Sequence, residues 1–273
     1  MPSASRLLRA VRHPGLPRTT RARLLQLELL RRVRPRRVYP LPLGQTTIFV
    51  SHEDFEIDWK SLAFVAVDEA YAGDYEGSVV VDVGAHKGYF AAWALHRGAR
   101  AVVSYEPEAA NFELLERAAA AHCARGGEWH TRPTAVGVDQ GEAQLHVMSA
   151  SWGHALHPPD AFSEYEVGVQ RVRVEALRAV LAEARDLAAG ARVVVKVNIE
   201  GEECPVILGT PASAWDGVAE AYVETHPWAS CGVDELARHL QPAGLIRRES
   251  AHPAVLRLQR REWQPTGPRT AAR

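Results

Sequence analysis

Between residues 79 and 258 the chain alternates short apolar runs with longer stretches in which apolar residues recur every three or four positions. Continuous runs of valine, at 79–81 and 193–195, are typical of strands that are covered on both faces. The longer stretches have the spacing of helices that bury one side. Strands and helices in alternation predict an α/β fold with a mostly parallel sheet and helices on both faces. Two closing strands, near 245–249 and 254–258, are close enough along the chain for an antiparallel strand at one edge of the sheet.

The two ends of the chain differ in composition from its middle, and this divides the sequence into three parts. Residues 1–45 are predicted to form an Arg-rich helical appendage, residues 46–259 the α/β domain and residues 260–273 a flexible tail. The first 37 residues carry eleven arginines and one acidic residue, a net charge of +10, which leaves −11 for the rest of a chain whose total is −1. We expect the helix to dock on the acidic body, or to bind a partner or an anionic surface. Few aromatic residues accompany the arginines, so no nucleic-acid partner is expected.

The stretch at 79–89, VVVDVGAHKGY, combines a buried strand, two glycines and the start of a helix. A Rossmann-like sheet builds its cofactor crevice in this way, at the carboxyl end of its first strand. A dinucleotide-binding turn has the pattern G-x-G-x-x-G, whereas the pattern here is Asp82-x-Gly84-x-x-x-Gly88. A carboxylate at position 82 repels a diphosphate but suits a cofactor that carries an ammonium group and a sulfonium. The spacing therefore predicts S-adenosylmethionine as the cofactor.

An acidic residue also ends the second predicted strand, which covers residues 101–105. Glu106 lies 24 residues after Asp82, at a position where a carboxylate accepts hydrogen bonds from the two hydroxyls of a ribose. The alternatives are structural: a solvated carboxylate for Glu106, and a helix cap for Asp82. The combination of both acids with Gly84 favours the cofactor site.

Two further strand ends carry polar residues suited to chemistry. Lys196, Asn198 and Glu200 alternate after a buried strand and share one face if the strand stays extended. Glu200 is a candidate to orient or deprotonate a substrate hydroxyl, and Lys196 to stabilise negative charge or to pair with Glu200. His226 closes the next strand and titrates near neutrality, which makes it a candidate base. A structural Lys–Glu pair and a simple hydrogen-bonded histidine are the alternatives.

The rest of the sequence narrows the class of protein. Residues 150–165 form an irregular stretch of a length that is often functional, and we expect Trp152 to close over the acceptor. No spacing of histidines and acids matches a metal site, and three widely spaced cysteines without C-x-x-C predict no disulfide. No apolar run is long enough for a transmembrane segment and no secretory signal is recognised, so a cytoplasmic protein is expected.

These stretches, taken in order, resemble the FkbM-type methyltransferase family, which has a Rossmann-like sheet and uses S-adenosylmethionine. The matching stretches are VDVGAHKG at 81–88, EPEAANFELLE at 106–116, KVNIEGEE at 196–203 and ETH at 224–226. The resemblance extends over residues 46–258. Two departures are Asn198, where an aspartate is usual, and His86-Lys87, which replaces a pair that contains asparagine.

The resemblance implies methyl transfer, most often to a hydroxyl of a sugar, a polysaccharide, or a polyketide or other secondary metabolite, so the expected partner is a small-molecule or glycan acceptor. The implied catalytic residues are Lys196, Glu200 and His226. The implied cofactor-binding residues are Asp82, Gly84, Ala85, Gly88, Glu106, Pro107 and Asn198. The alternatives are a nicotinamide-dependent oxidoreductase, against which the broken glycine pattern argues, and a non-catalytic cofactor-binding scaffold.

Overall fold

The computed structural model describes residues 14–33 and 38–261 of the 273-residue chain. Most of the predicted C-terminal tail therefore lies outside the described residues. Helices and strands alternate as the apolar pattern predicts. In chain order they are α1 (Arg18–Val33), β1 (Val38–Leu43), β2 (Thr46–Ser51), α2 (Phe55–Ala66), β3 (Val79–Val83), α3 (Tyr89–His96), β4 (Ala101–Tyr105), α4 (Ala109–Cys123), β5 (Glu128–Arg132), β6 (Thr134–Gly137), β7 (Gly141–Met148), β8 (Glu166–Ala176), α5 (Leu177–Ala188), β9 (Val193–Val197), α6 (Glu203–Gly209), β10 (Val218–Glu224), α7 (Val233–Leu240), β11 (Leu245–Arg248) and β12 (Val255–Arg260). Short 3-10 helices lie at Asp160–Tyr165, Ala212–Trp215 and Gln241–Ala243.

A seven-stranded sheet forms the centre of the fold, with the strand order β11-β12-β10-β9-β3-β4-β5. The strands from β10 to β5 are parallel, and β12 runs antiparallel to both of its neighbours. The antiparallel strand thus lies one position in from the edge. This arrangement confirms the predicted fold class, a Rossmann-like, mostly parallel sheet. Because the parallel strands all end at the same edge, the polar residues that follow them are brought together there.

Alternate residues of the central strands supply two hydrophobic cores, one on each face of the sheet. In β3, Val80 belongs to the core that includes α2, α3 and the first hairpin, whereas Val79 and Val81 belong to the core formed with α5, α6 and α7. Every residue of β3 is buried. A run of valines without polar alternation is therefore explained by helices on both faces.

The Arg-rich helix α1 packs on the body of the protein through the hairpin of β1 and β2. Leu27 is buried in the same core as Leu41 and Ile48, and Thr20 Oγ1 donates a 2.6 Å hydrogen bond to Pro42 O. The predicted boundary between appendage and domain falls in the turn of this hairpin, so the segment before it shares the core of the domain. Within the described ranges no helix has both the length and the apolarity needed to cross a membrane.

The segment 128–137 contains two short strands that belong to different sheets. β5 ends at Arg132 and β6 begins at Thr134, because Pro133 has no N–H group with which to continue the ladder. β6 leaves the main sheet and pairs with β8 in a three-stranded sheet of order β6-β8-β7. The irregular stretch at 150–165 connects β7 to β8 and is therefore held by this smaller sheet.

The packing of α1 can be tested with two leucines of the same helix. Leu27 is 0% exposed and Leu25 is 45% exposed. We expect Leu27→Ala to lower the free energy of unfolding by about 2–5 kcal/mol, the usual range for a buried leucine. The control, Leu25→Ala, is expected to change it by no more than about 0.5 kcal/mol. Urea denaturation measures both, and equal effects of the two substitutions would contradict the described packing.

Candidate active site

A cavity of about 400 Å³ opens at the carboxyl ends of β3, β4, β9 and β10. Its volume is in the range of small-molecule sites. Helix α2 forms one side of it, and residues of the smaller sheet form another. Eight predicted site residues line the cavity: Gly84, Ala85, Glu106, Pro107, Lys196, Asn198, Glu200 and His226. The other two predicted site residues, Asp82 and Gly88, do not line it.

Asp82 and Lys196 form a buried ion pair between the two central strands. Lys196 Nζ lies 3.0 Å from Asp82 Oδ1 and donates a 2.6 Å hydrogen bond to Gly84 O. Burial raises the pKa of Asp82, while the ammonium group of Lys196 acts in the opposite direction. Lys196 thus pairs with Asp82 rather than with Glu200, which corrects one of its two predicted roles. Stabilisation of negative charge by Lys196 and cofactor binding by Asp82 stay predictions.

Both motif glycines are required by close contacts. Gly84 has a φ of +74°, and a Cβ atom there would lie 1.7 Å from Asn198 O, so the ends of β3 and β9 meet only because position 84 has no side chain. Gly88 has a φ of +86° where α3 begins, and a Cβ atom there would lie 2.9 Å from both Leu115 and Trp129. Gly84 therefore forms part of the cavity wall, whereas Gly88 allows the start of α3 to pack closely against the hydrophobic core.

Glu106, directly after β4, presents a buried carboxylate to the cavity. Its Oε2 accepts a 2.7 Å hydrogen bond from His86 N, and its Oε1 accepts one of 2.9 Å from Glu108 N. Burial raises the pKa of Glu106 to about 7, although the two backbone donors lower it. A carboxylate has about four acceptor positions, so each oxygen keeps one for a ligand. This geometry fits the two adjacent hydroxyls of a ribose.

Asn198 brings a second acceptor to the cavity from the end of β9. Its backbone N–H donates to Val83 O at 3.0 Å. Its side-chain Oδ1 is buried and has no hydrogen-bond partner among the described residues, a state that is rare for polar atoms in folded proteins. The atom is suited to a donor on a ligand, such as an amino group. Glu106 and Asn198 together therefore fit the predicted cofactor.

At the opposite side of the cavity His226 lies between two carboxylates. His226 Nε2 is 3.4 Å from Glu200 Oε2, and His226 Nδ1 is 3.4 Å from Glu203 Oε1. Burial by itself lowers the pKa of a histidine, but the two carboxylates outweigh it and raise the pKa of His226 to about 10. Burial also raises the pKa of Glu200, against the effect of His226. His226 is therefore an imidazolium at neutral pH, and Glu200 is the better candidate base of the two.

Sequence analysis did not select Glu203, the third member of this group. Glu203 is 1% exposed and accepts backbone hydrogen bonds from Ile199 N at 2.8 Å and Gly201 N at 2.9 Å. It thereby holds the turn in which Glu200 has a φ of +54°. The stretch KVNIEGEE contains this residue, but a carboxylate in the first turn of a helix is most often there to satisfy the helix terminus.

The stretch at 150–165 covers one side of the cavity. Ser151 anchors it, since its carbonyl accepts a 2.8 Å hydrogen bond from Asn111 Nδ2 and its hydroxyl lies 3.2 Å from His86 Nε2. Burial lowers the pKa of His86 well below the ordinary value, so this ring is neutral. Trp152 lines the cavity and is 49% exposed, and its closure over an acceptor stays a prediction.

The cysteines depart from the prediction, because Cys204 and Cys231 form a disulfide. The start of α6 and the segment after β10 lie side by side, with the two Cα atoms 5.7 Å apart. A separation of 27 residues along the sequence gives no sign of this proximity. Cys123 is free. The described residues contain no group of three or more His, Cys, Asp or Glu side chains arranged for a metal ion.

The charge state of His226 can be measured directly. We expect NMR titration of ¹⁵N-labelled histidines, assigned with His226→Gln, to show His226 protonated through neutral pH and losing its proton near pH 10. The folded-state pKa exceeds the unfolded value of about 6.5. Relative to the His226→Gln variant, the parent therefore has its full extra stability below about pH 6.5. It loses this extra stability as the pH rises toward 10. Glu203→Gln should lower the pKa of His226, and titration near 6.5 in the parent would refute the arrangement.

Three solved methyltransferase structures are similar to this chain at low identity. The FkbM methyltransferase of Methylobacillus flagellatus KT is 12% identical, with a TM-score of 0.47 over 76% of this chain and 53% of its own. A Pyrococcus abyssi tRNA (uracil-54, C5)-methyltransferase in complex with S-adenosyl-L-homocysteine is 12% identical, with a TM-score of 0.40 over 82% and 44%. The magnesium protoporphyrin IX methyltransferase of Synechocystis PCC 6803 with bound SAM is 11% identical, with a TM-score of 0.35 over 77% and 79%. This chain thus spans about half the length of the Methylobacillus protein.

No curated protein matches the sequence. The family model described as the methyltransferase FkbM domain matches residues 82–240, more than half of the chain. The matched region contains the Asp82 turn, Glu106, the stretch from Lys196 to Glu203 and His226. The chain therefore belongs to the FkbM methyltransferase family, and S-adenosylmethionine is its cofactor, as the sequence motifs predict.

Proposed function

We propose that this protein transfers a methyl group to a hydroxyl oxygen of a small-molecule or glycan acceptor, with Glu200 as the base. The observation that carries the proposal is the group at the acceptor side of the cavity, in which Glu200 lies 3.4 Å from His226 and His226 lies 3.4 Å from Glu203. A hydroxyl is a poor nucleophile until its proton is removed, whereas an amine attacks without help from a base. A buried carboxylate with a raised pKa therefore favours an oxygen acceptor.

Glu106 and Asn198 hold the cofactor in this proposal. Glu106 keeps one acceptor position on each oxygen for the ribose, and the unpartnered Oδ1 of Asn198 accepts a hydrogen bond from the amino group. Gly84 and Ala85 leave room for the cofactor at the end of β3, and Pro107 lines the cavity next to Glu106. Asp82 and Lys196 act as positioning residues, because their ion pair fixes the strand ends that carry the others.

The chemistry then requires one proton transfer and accurate alignment. When bound, S-adenosylmethionine supplies an electrophilic methyl group, so that the acceptor O–CH₃ bond forms as the S–CH₃ bond breaks and S-adenosylhomocysteine is left. Glu200 takes the proton of the acceptor hydroxyl. Burial raises the pKa of Glu200, and the imidazolium of His226 orients the carboxyl group and limits that rise. A base of this kind works best when its pKa lies close to the operating pH.

Membership of the FkbM family argues against the nicotinamide-dependent alternative, and turnover on an acceptor would exclude the non-catalytic scaffold. A cytoplasmic location remains a prediction, and the disulfide is unusual for that compartment. Docking of a partner or an anionic surface by the Arg-rich segment also remains a prediction.

Glu106 provides the test of cofactor binding. Calorimetry should show that the parent binds S-adenosylhomocysteine and does not measurably bind NAD. Glu106→Ala should weaken S-adenosylhomocysteine binding by about 1.5–3 kcal/mol, the range for hydrogen bonds to a charged group. Loss of the contacts to His86 N and Glu108 N should also lower the melting temperature of the ligand-free protein. A dissociation constant that stays at the parent value would place the ribose elsewhere.

Glu200 provides the test of catalysis. With tritiated S-adenosylmethionine and a panel of sugars and ring alcohols, Glu200→Gln should reduce methyl transfer by about 10²–10⁴-fold, the usual contribution of a positioned base. Its affinity for S-adenosylhomocysteine should stay within about threefold of the parent, because the amide has nearly the shape of the carboxylate. The exposed Glu235→Gln in α7 serves as the control. Full activity of Glu200→Gln would assign the proton transfer to another group, and the absence of transfer by the parent to every acceptor would favour the scaffold.

A further inference from the structure

A second cavity adjoins the first one at Glu200. Its volume is about 250 Å³. Its walls come from the stretch between β7 and β8 and from Trp228, which follows β10. Three residues border both cavities: Trp152, Ala155 and Glu200. A group in the second cavity therefore reaches the same carboxylate that faces the cofactor cavity.

The walls of this second cavity are apolar and largely aromatic. Phe162 and Trp228 pack edge to face with their ring centroids 5.0 Å apart, and Met148, Pro158 and Tyr165 complete the walls. The residues that line the cavity include Glu200 but neither lysine nor arginine. An anionic group placed here would lie close to the Glu200 carboxylate, and like charges at close range repel each other.

The cavity also has polar atoms that complement a hydroxyl. Trp228 Nε1 is buried and has no hydrogen-bond acceptor among the described residues. Glu200 supplies an acceptor to the same cavity. A hydroxyl both donates and accepts a hydrogen bond, so it matches the chemistry of either group. An amine cation or a carboxylate can satisfy only one of them.

The size of the cavity limits the occupant further. A cavity of about 150 Å³ lined by apolar side chains holds a benzene molecule. The second cavity, at about 250 Å³, accommodates one substituted ring or two fused rings. Rings also gain from contact with the exposed edges and faces of the aromatic walls.

We infer that the second cavity is the acceptor site, and that the acceptor is an uncharged molecule whose hydroxyl is carried by an apolar ring. This inference rests on the proposed function, since it places the acceptor hydroxyl at Glu200. It narrows the acceptor from hydroxyl compounds in general to ring alcohols, and it excludes phosphorylated and other anionic acceptors.

Calorimetry with the intact protein saturated with S-adenosylhomocysteine tests this assignment. The probes are 2-naphthol, 6-hydroxy-2-naphthalenesulfonate, which has the same rings and a fixed negative charge, and methyl β-D-glucoside, a polar ring. We expect 2-naphthol to bind, and the sulfonate to bind at least about tenfold more weakly, because its negative charge is repelled by the Glu200 carboxylate. The glucoside should bind more weakly than 2-naphthol.

Two glycines supply a matched pair of variants. A Cβ atom at Gly153 would meet Ala150 O at 3.7 Å and Met148 Cβ at 3.9 Å, which are ordinary contacts, whereas one at Gly141 would meet nothing within 4 Å. Gly153 lines the second cavity and Gly141 does not. Gly153→Phe should reduce 2-naphthol affinity by at least about tenfold, because it fills the space that the ring needs. Gly141→Phe should leave that affinity unchanged, and both variants should bind S-adenosylhomocysteine like the parent.

The outcomes separate this inference from the function on which it rests. If S-adenosylhomocysteine binds but 2-naphthol does not, if both naphthols bind equally, or if the glucoside binds best, the acceptor assignment is wrong and the methyltransferase proposal stands. Unchanged naphthol binding by Gly153→Phe also refutes the location. Should Gly153→Phe fail to fold, Phe162→Ala replaces it, with a weaker affinity expected and an unchanged one contradictory. Failure of the parent to bind S-adenosylhomocysteine overturns the proposed function and this inference together.

Discussion

The buried ion pair of Lys196 and Asp82 is the interaction on which the geometry of the site depends. A charge removed from water is strongly unfavourable unless it is paired, so neither residue is stable in this position without the other. Lys196 Nζ also donates to Gly84 O at 2.6 Å and lies 3.4 Å from Val83 O, and in this way it ties the end of β9 to the end of β3. The approach of Asn198 O to Gly84 and the opening of the cavity between them follow from that attachment. Removing one partner of such a pair typically costs about 3–5 kcal/mol, a large part of the stability of a domain.

The charge pattern of the cavity separates its two sides. On the side proposed for the cofactor, Glu106 accepts two hydrogen bonds from backbone N–H groups. The remaining lone pairs of its carboxylate face the cavity. On the side proposed for the acceptor, the carboxyl groups of Glu200 and Glu203 lie on either side of one imidazolium, that of His226. The positive charge of His226 offsets negative charge on the neighbouring carboxyl groups and makes their burial less unfavourable. In the proposed mechanism His226 is a counter-ion, whereas a histidine at a strand end first suggests the role of base.

The main sheet could be predicted from the sequence because each of its central strands is a short apolar run, visible in a few consecutive residues. The valine runs at 79–81 and 193–195 are strands, and Gly84 and Glu106 lie at the cavity that their spacing indicates. Contacts between segments far apart in sequence could not be predicted in the same way. The partner of Lys196, the disulfide, and the role of Glu203 all depend on which chain segments meet in space. The break at Pro133 was visible in the sequence, but the second sheet that follows from it was not.

The walls of the second cavity come almost entirely from one continuous stretch between β7 and β8, whereas the residues that fit the cofactor lie at the ends of the main-sheet strands. Replacement, lengthening or shortening of that stretch therefore leaves the strand ends and their buried ion pair in place. With the acceptor in the second cavity, as inferred above, such a chain can acquire a new acceptor by variation of a single peripheral segment. The stability of the sheet and the recognition of the cofactor would not have to be re-established with each change.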